Sequence, residues 1–287
     1  MKKTVDAEQQ WSLIITPKRR LLEIPFGEIW HYRDLLMLLV RRDFVALYKQ
    51  TILGPLWFLI QPILTTLMFT LVFNKIAGLS TDGLPAILFY LAGITCWSYF
   101  AETMTKASET FTLNASMFGK VYFPRVIVPL SIVLSNLIKF GVQFGLFLVF
   151  LGYYMFQGNR AIAPNTVLLL LPLLVLLMGG LGLGFGMIIS AMTTKYRDLR
   201  FLLTFAVQLF MYATPVIYPL SSLDQRYKWI LQINPITPII ESFRYGFLGS
   251  GSFAPWQLAY SFGVMVAVLL LAMIVFNQVE KNFMDTV

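Results

Sequence analysis

Asn136, Lys139 and Gln143 recur at i, i+3 and i+7 within an otherwise apolar stretch, a spacing that puts all three on one helical face. At 1.5 Å per residue, Lys139 lies roughly 20 Å from one end of that helix. A charge at such depth costs roughly 2.5–3.5 kcal/mol on insertion scales. The row therefore faces a water-filled route or a partner, or it forms a hydrogen-bonded seam between helices. The acidic groups in or beside the apolar stretches are Glu102 and Glu241, which supply no carboxylate cluster for divalent metals or sugar-nucleotide chemistry. A membrane-embedded glycosyltransferase, the enzymatic alternative, lacks its reactive groups. His31, the single histidine, reads as a surface or interface residue. Cys96, the single cysteine, permits neither a disulfide nor a thiolate metal site. Gly179, Gly180, Gly182, Gly184 and Gly186 form overlapping small-xxx-small patterns at 180/184 and 182/186, which suit close helix packing. They do not match the phosphate loop G-x-x-x-x-G-K-S/T, which occurs nowhere in the chain. The chain therefore has no P-loop route to ATP hydrolysis, and the sequence implies no metal or cofactor of its own.

The elements that position these residues are long and apolar. Six stretches, 52–77, 84–104, 126–156, 164–193, 200–220 and 255–277, approach or exceed the 20 or so residues needed to cross a hydrocarbon core of about 30 Å. With 57% hydrophobic residues, 13% charged residues and a mean hydropathy of +0.72, a water-facing fold could not cover its apolar surface. Leu168 to Val175 and Val264 to Val275 are continuously apolar, which excludes the alternating strands of a β-barrel. The expected fold is an all-α membrane protein of six transmembrane helices, with residues 1–50 as a separate N-terminal region and 51–287 as the spanning domain.

Sixteen of the 22 Lys and Arg fall before span one, between spans two and three, between spans four and five, and in the tail. By the positive-inside rule both termini are cytoplasmic. The net charge of +8 reads as topology and contact with anionic lipid, and no soluble basic domain exists for nucleic acid. No signal peptide is expected in the first 50 residues. Residues 28–50 predict an amphipathic interface helix, with Ile29, Leu36, Val40, Phe44 and Leu47 on one side and Asp34, Arg41, Arg42 and Lys49 on or near the other. Between spans five and six, residues 213–248 carry four prolines, at 215, 219, 235 and 238, and five charges. This predicts re-entrant broken helices lining a cavity, with Glu241 and Arg244 paired at i, i+3.

These features occur with TILGPLWFLIQP (51–62), GKVYFPRVIVPLS (119–131), KYRDLR (195–200), ATPVIYP (213–219) and NPITPIIESFRYGFLG (234–249). In this order, and over nearly the whole chain, they resemble the permease subunit of type-2 ABC exporters for surface polysaccharides. The resemblance implies a homodimer around one channel in the bacterial inner membrane, joined to two copies of a cytoplasmic ATPase that holds ATP and Mg. It also implies a polyprenyl-diphosphate-linked polysaccharide as cargo, O-antigen first, with teichoic acid or capsule chains as alternatives in the same family. Phe118, Lys120, Tyr122 and Arg125 would couple to the ATPase. Arg41, Arg42 and Lys49 would meet the lipid diphosphate, where Arg can offer paired donors. Pro235, Pro238, Glu241 and Arg244 would form an outer gate. Trp57, Phe58, Phe69 and Phe73 along span one, Phe205, Phe210 and Tyr212 along span five, and Lys139 would line the channel. Aromatic faces offer sugars a sliding surface, although such residues also face lipid and collect at its interfaces.

Overall fold

The structure, a computed structural model, describes residues 26–49, 51–120, 123–196 and 198–286. The N-terminal residues 1–25, with Lys2, Lys3, Lys18, Arg19 and Arg20, lie outside the described residues, as do Tyr122 and Arg197. The described residues are helical, without strands. The helices are α1 (Phe26–His31), α2 (Arg33–Tyr48), α3 (Trp57–Phe69), α4 (Ala86–Ser108), α5 (Thr110–Phe118), α6 (Ile127–Phe156), α7 (Leu171–Thr193), α8 (Leu199–Tyr212), α9 (Gln225–Ile233), α10 (Thr237–Leu248) and α11 (Pro255–Thr286).

Among the described residues four helical segments are long and apolar enough to cross a membrane: Gly54–Ile76, Ile127–Phe156, Thr166–Thr193 and Pro255–Val279. They correspond to the expected spans one, three, four and six. The other two expected spans depart from that description for separable reasons. Helix α4 has 23 residues, enough length, but it carries Glu102 and Lys106 and is buried along most of its course. A helix sheathed by protein can carry polar groups that lipid would not tolerate. Helix α8 has 14 residues, about 21 Å, and stops at Tyr212 instead of continuing to residue 220. Pro215 and Pro219 follow, and proline removes a backbone donor and disfavours helix in the residue before it. Thr214, Pro215, Val216 and Ile217 form a buried non-helical turn.

Helix α4 is the axis of the packing and meets α7, α6, α3 and α10. The glycines of α7 allow this on two sides. A Cβ on Gly182 would stand 2.9 Å from the Phe100 carbonyl oxygen, and one on Gly186 2.7 Å from that of Met104, both on α4. A Cβ on Gly180 or Gly184 would strike Met265 or Val268 of α11. The two small-residue patterns thus serve different partners, and α7 is wedged between α4 and α11 at close backbone approach. The larger apolar core gathers around α4, α6, α7 and α10. A second core, with Leu39 of α2, Phe111 and Phe118 of α5, Phe123, Ile127 of α6 and Phe276 of α11, lies at the other end of the bundle.

Candidate functional site

The polar row on α6 faces α4. Lys139 Nζ donates to Glu102 Oε1 at 2.5 Å, Lys106 Nζ to Asn136 Oδ1 at 3.0 Å, and Asn136 Nδ2 to Thr103 Oγ1 at 3.2 Å. Lys139 also sits 5.6 Å from the ring centre of Phe58. Both sequence alternatives are thus realised in part: Lys139 has a partner, and the row is a seam between two helices. The seam ends in space. Gln143, only 3% exposed, borders a cavity of about 170 Å³ that Gln61, Ser98, Glu102, Trp97 and Met211 also line. Helices α3, α4, α6 and α8 each contribute to its wall.

The other expected channel residues divide by direction. Phe58 is buried, and Phe210 packs edge-on against Trp97 and Phe100. Phe69 rests on Tyr90 and Phe73. Trp57, Phe205 and Tyr212 point outward, each about half exposed.

Glu241 and Arg244 lie on α10, enclosed by protein. Arg244 is 1% exposed. Its Nη1 donates to the Pro215 carbonyl and lies 3.8 Å from Glu241 Oε1; its Nη2 donates to the Val216 carbonyl at 2.7 Å and the Phe89 carbonyl at 3.3 Å. Nε has no partner. The guanidinium lies 3.7 Å from the ring centre of Phe89 and occupies the space beside Gly93, where a Cβ would stand 2.6 Å from Nη2. One side chain thus supplies donors to the two carbonyls freed where α8 ends and fastens that turn to α4. Glu241 Oε2 accepts the Ser252 backbone N–H at 3.0 Å. The last carbonyls of α10 are met by the α6–α7 loop, through Ala163 N–H to Leu248, Asn165 N–H to Gly246 and Asn165 Nδ2 to Tyr245. Sequence reading anticipated the pair but not this enclosure, because the partners come from elements up to 155 positions away.

The break between α9 and α10 falls at residues 234–236, beside Pro235, while Pro238 sits in the first turn of α10, where its missing N–H costs nothing. Asn234 fastens the break. Its Nδ2 donates to Thr214 Oγ1 at 2.8 Å and its Oδ1 accepts the Ile236 N–H at 2.9 Å.

Arg41, Arg42 and Lys49 come together on the exposed face of α2. With Leu38, Val45 and Ala46 they line an open depression of about 430 Å³, and Arg42 pairs with its neighbour Asp43 at 2.8 Å. The opposite face, with Leu39 and Val40, is buried against the rest of the chain.

The segment expected to dock an ATPase is divided differently from the sequence reading. Phe118 is buried, packed on Phe111 and Phe123 with Arg125 5.4 Å over its ring, and Arg125 is itself only 9% exposed. Phe118 therefore serves the chain's own second core, and an Ala there would act first through folding. Leu113, 63% exposed, is accessible, as are Thr112, Ser116, Gly119 and Lys120. The α4–α5 junction is held to the end of α7 by Phe111 N–H donating to Ser190 Oγ and by Thr193 Oγ1 donating to the Ser108 carbonyl.

Residues 34–248 match the ABC-2 type transporter family model, a span that contains the α4–α6 seam, the cavity beside it and the Glu241–Arg244 pair. An O-antigen export system permease protein from Klebsiella pneumoniae is 26% identical over 253 residues, 88% of this chain and 94% of the relative. Its counterpart from Myxococcus xanthus is 28% identical over 262 residues, 91% and 98% of the two chains. An inner membrane transport permease of Escherichia coli K12 is 24% identical over 228 residues, 74% and 82% of the two chains. With its apolar helices, and with relatives of this kind, the protein is a multi-pass inner-membrane protein. The chain belongs to the ABC-2 type transporter family.

Proposed function

We propose that this chain is the membrane-spanning subunit of an ATP-driven exporter that moves a polyprenyl-diphosphate-linked polysaccharide, O-antigen in the first instance, out of the cytoplasm. The observation that carries this reading is the similarity to O-antigen export permeases along almost the full length of both chains. In this reading α4 and α8 complete a six-span subunit, α8 with the buried turn that follows it, and both termini are cytoplasmic. Two copies enclose the channel, and two copies of a separate ATPase, which hold ATP and Mg, drive it. The cationic face of α2 receives the lipid diphosphate. Arg41 and Lys49 supply charge at head-group depth, and Leu38, Val45 and Ala46 supply an apolar floor for the lipid chain. The accessible part of α5, around Leu113 and Lys120, meets the ATPase. Helices α9 and α10 close the outer end. Because α10 is tied by Arg244, Glu241 and the α6–α7 loop, the movable member is α9, whose Tyr227, Trp229 and Ile233 are exposed.

The test is removal of the chain from cells that assemble a surface polymer. Polymer should disappear from the surface and accumulate on its lipid carrier inside, and the wild-type chain should restore export. An Arg41→Glu/Arg42→Glu chain should insert and assemble yet fail to do so. Normal surface polymer in the deleted strain would refute the function, and export by the double variant would move diphosphate recognition elsewhere.

A further inference from the structure

The cavity at the end of the α4–α6 seam contains more unused hydrogen-bonding capacity than a packing defect would. Gln143 is 3% exposed, and none of the described hydrogen bonds engages its side-chain amide. The amide is not among the side-chain groups sealed from solvent without a partner, so it opens onto the cavity, where water or a ligand meets it. Across from it, Glu102 gives one carboxylate oxygen to Lys139 and has the other as an acceptor. Ser98 adds a hydroxyl that can turn to donate or accept, and Gln61 stands at the exposed rim. Trp97 and Met211 furnish apolar wall. Because Glu102 is already paired with Lys139, and Lys106 stands in the same seam, the wall offers no uncompensated carboxylate to a free cation and suits a ligand bound through hydrogen bonds.

Size and place narrow the ligand further. At about 30 Å³ per molecule of liquid water, 170 Å³ holds about five or six waters, or a single sugar ring. Gln143 lies about 24 Å along α6 from Ile127 and about 20 Å from Phe156, so the cavity is near mid-depth of that helix. We propose that it is a subsite that holds one polyhydroxylated ring of the transported chain, with the Gln143 amide, the Glu102 carboxylate and the Ser98 hydroxyl meeting ring hydroxyls, and Trp97 against an apolar edge. This rests on the export function proposed above. Rotatable hydroxyl and amide partners suit a ring that must be released as well as held, since strong fixed contacts would trap a moving polymer.

The experiment uses the full chain with its ATPase, carrying Ser98→Cys, in membrane vesicles from cells that make the polymer and from cells blocked in its synthesis. A small methanethiosulfonate reagent is the probe, and the parental chain, whose Cys96 is fully buried, is the control. Labelling should proceed in polymer-free vesicles and slow by about fivefold or more when the polymer is engaged. Equal rates would mean that the cavity holds water only, and absence of labelling in both would mean that it is closed; either overturns the proposal. Independently, Gln143→Leu should cut export about tenfold, the effect of roughly one lost hydrogen bond, at unchanged assembly with the ATPase, and Gln143→Asn should recover part of it. Wild-type export by Gln143→Leu overturns the subsite. If deletion of the whole chain leaves surface polymer intact, the export function fails instead, so the two failures are distinguishable.

Discussion

The Arg244–Glu241 and Lys139–Glu102 pairs are both ion pairs inside an apolar bundle, but they are surrounded in opposite ways. Arg244 is enclosed and spends its donors on three backbone carbonyls, two from the turn after α8 and one from α4. Lys139 is 14% exposed and Glu102 28%; their neighbours are side chains, and beyond them is a cavity. The first arrangement is a joint. It satisfies backbone groups that a broken helix would leave bare inside the protein, where an unpaired polar group is costly. The second leaves acceptors and an amide unspent, as the proposed subsite requires and a joint avoids.

The comparison breaks most readily at Arg244. Arg244→Ala should destabilise the chain by about 3–5 kcal/mol, because it leaves a buried carboxylate unpaired and two carbonyls without donors. Its thermal unfolding midpoint in detergent should fall sharply. Arg244→Lys should recover little, since one ammonium cannot reproduce the forked contacts. Midpoints of both variants at the wild-type value would show that the turn after α8 does not depend on this side chain.

Glu241→Gln should cost less, about 1–3 kcal/mol, because the Gln carbonyl can still accept the Ser252 N–H while Arg244 loses its nearest counter-charge. In export assays it should also disturb closure of the outer end, read as leakage of a small periplasmic probe. Asp224→Asn, at an exposed position before α9, serves as the matched comparison and should leave both readings unchanged. Equal effects from the two substitutions would reduce α10 to an ordinary connector.

Lys139→Met should shift stability by about 1 kcal/mol, the discount reflecting access of solvent to both partners. Lys139→Met combined with Glu102→Gln should lie closer to wild type than Lys139→Met alone, because the unpaired carboxylate is gone. A double variant as unstable as the sum of the two singles would show that the pair has no coupling and that the seam is held by Asn136, Thr103 and Lys106. The ordering of the three tests, enclosed joint first and open seam last, is itself the prediction.

What could be read from the residues was whatever depends on neighbours in the chain. The periodicity of Asn136, Lys139 and Gln143, the length of the apolar runs, the i, i+3 spacing of Glu241 and Arg244, and the proline-broken character of 213–248 are local facts, and each has its counterpart in α6, α10 and the turns around α9. The family too was legible, because its motifs lie in order along the chain. Phe118 shows the limit: an aromatic in a polar connecting segment reads as an exposed anchor, yet it fills a core assembled from α2, α5, α6 and α11.

The amino-acid sequence by itself determined that the chain is helical and membrane-embedded, since an uninterrupted run of about 20 apolar residues has few other stable arrangements. Only the tertiary structure decided where α8 ends, which glycines of α7 meet α4 and which meet α11, and that Gln143 faces open space instead of a partner. Those outcomes depend on donors, surfaces and voids contributed by segments far apart in sequence, such as Phe89 beside Arg244. Hydropathy places each helix in the bilayer, but it does not specify which side chain will stand opposite another.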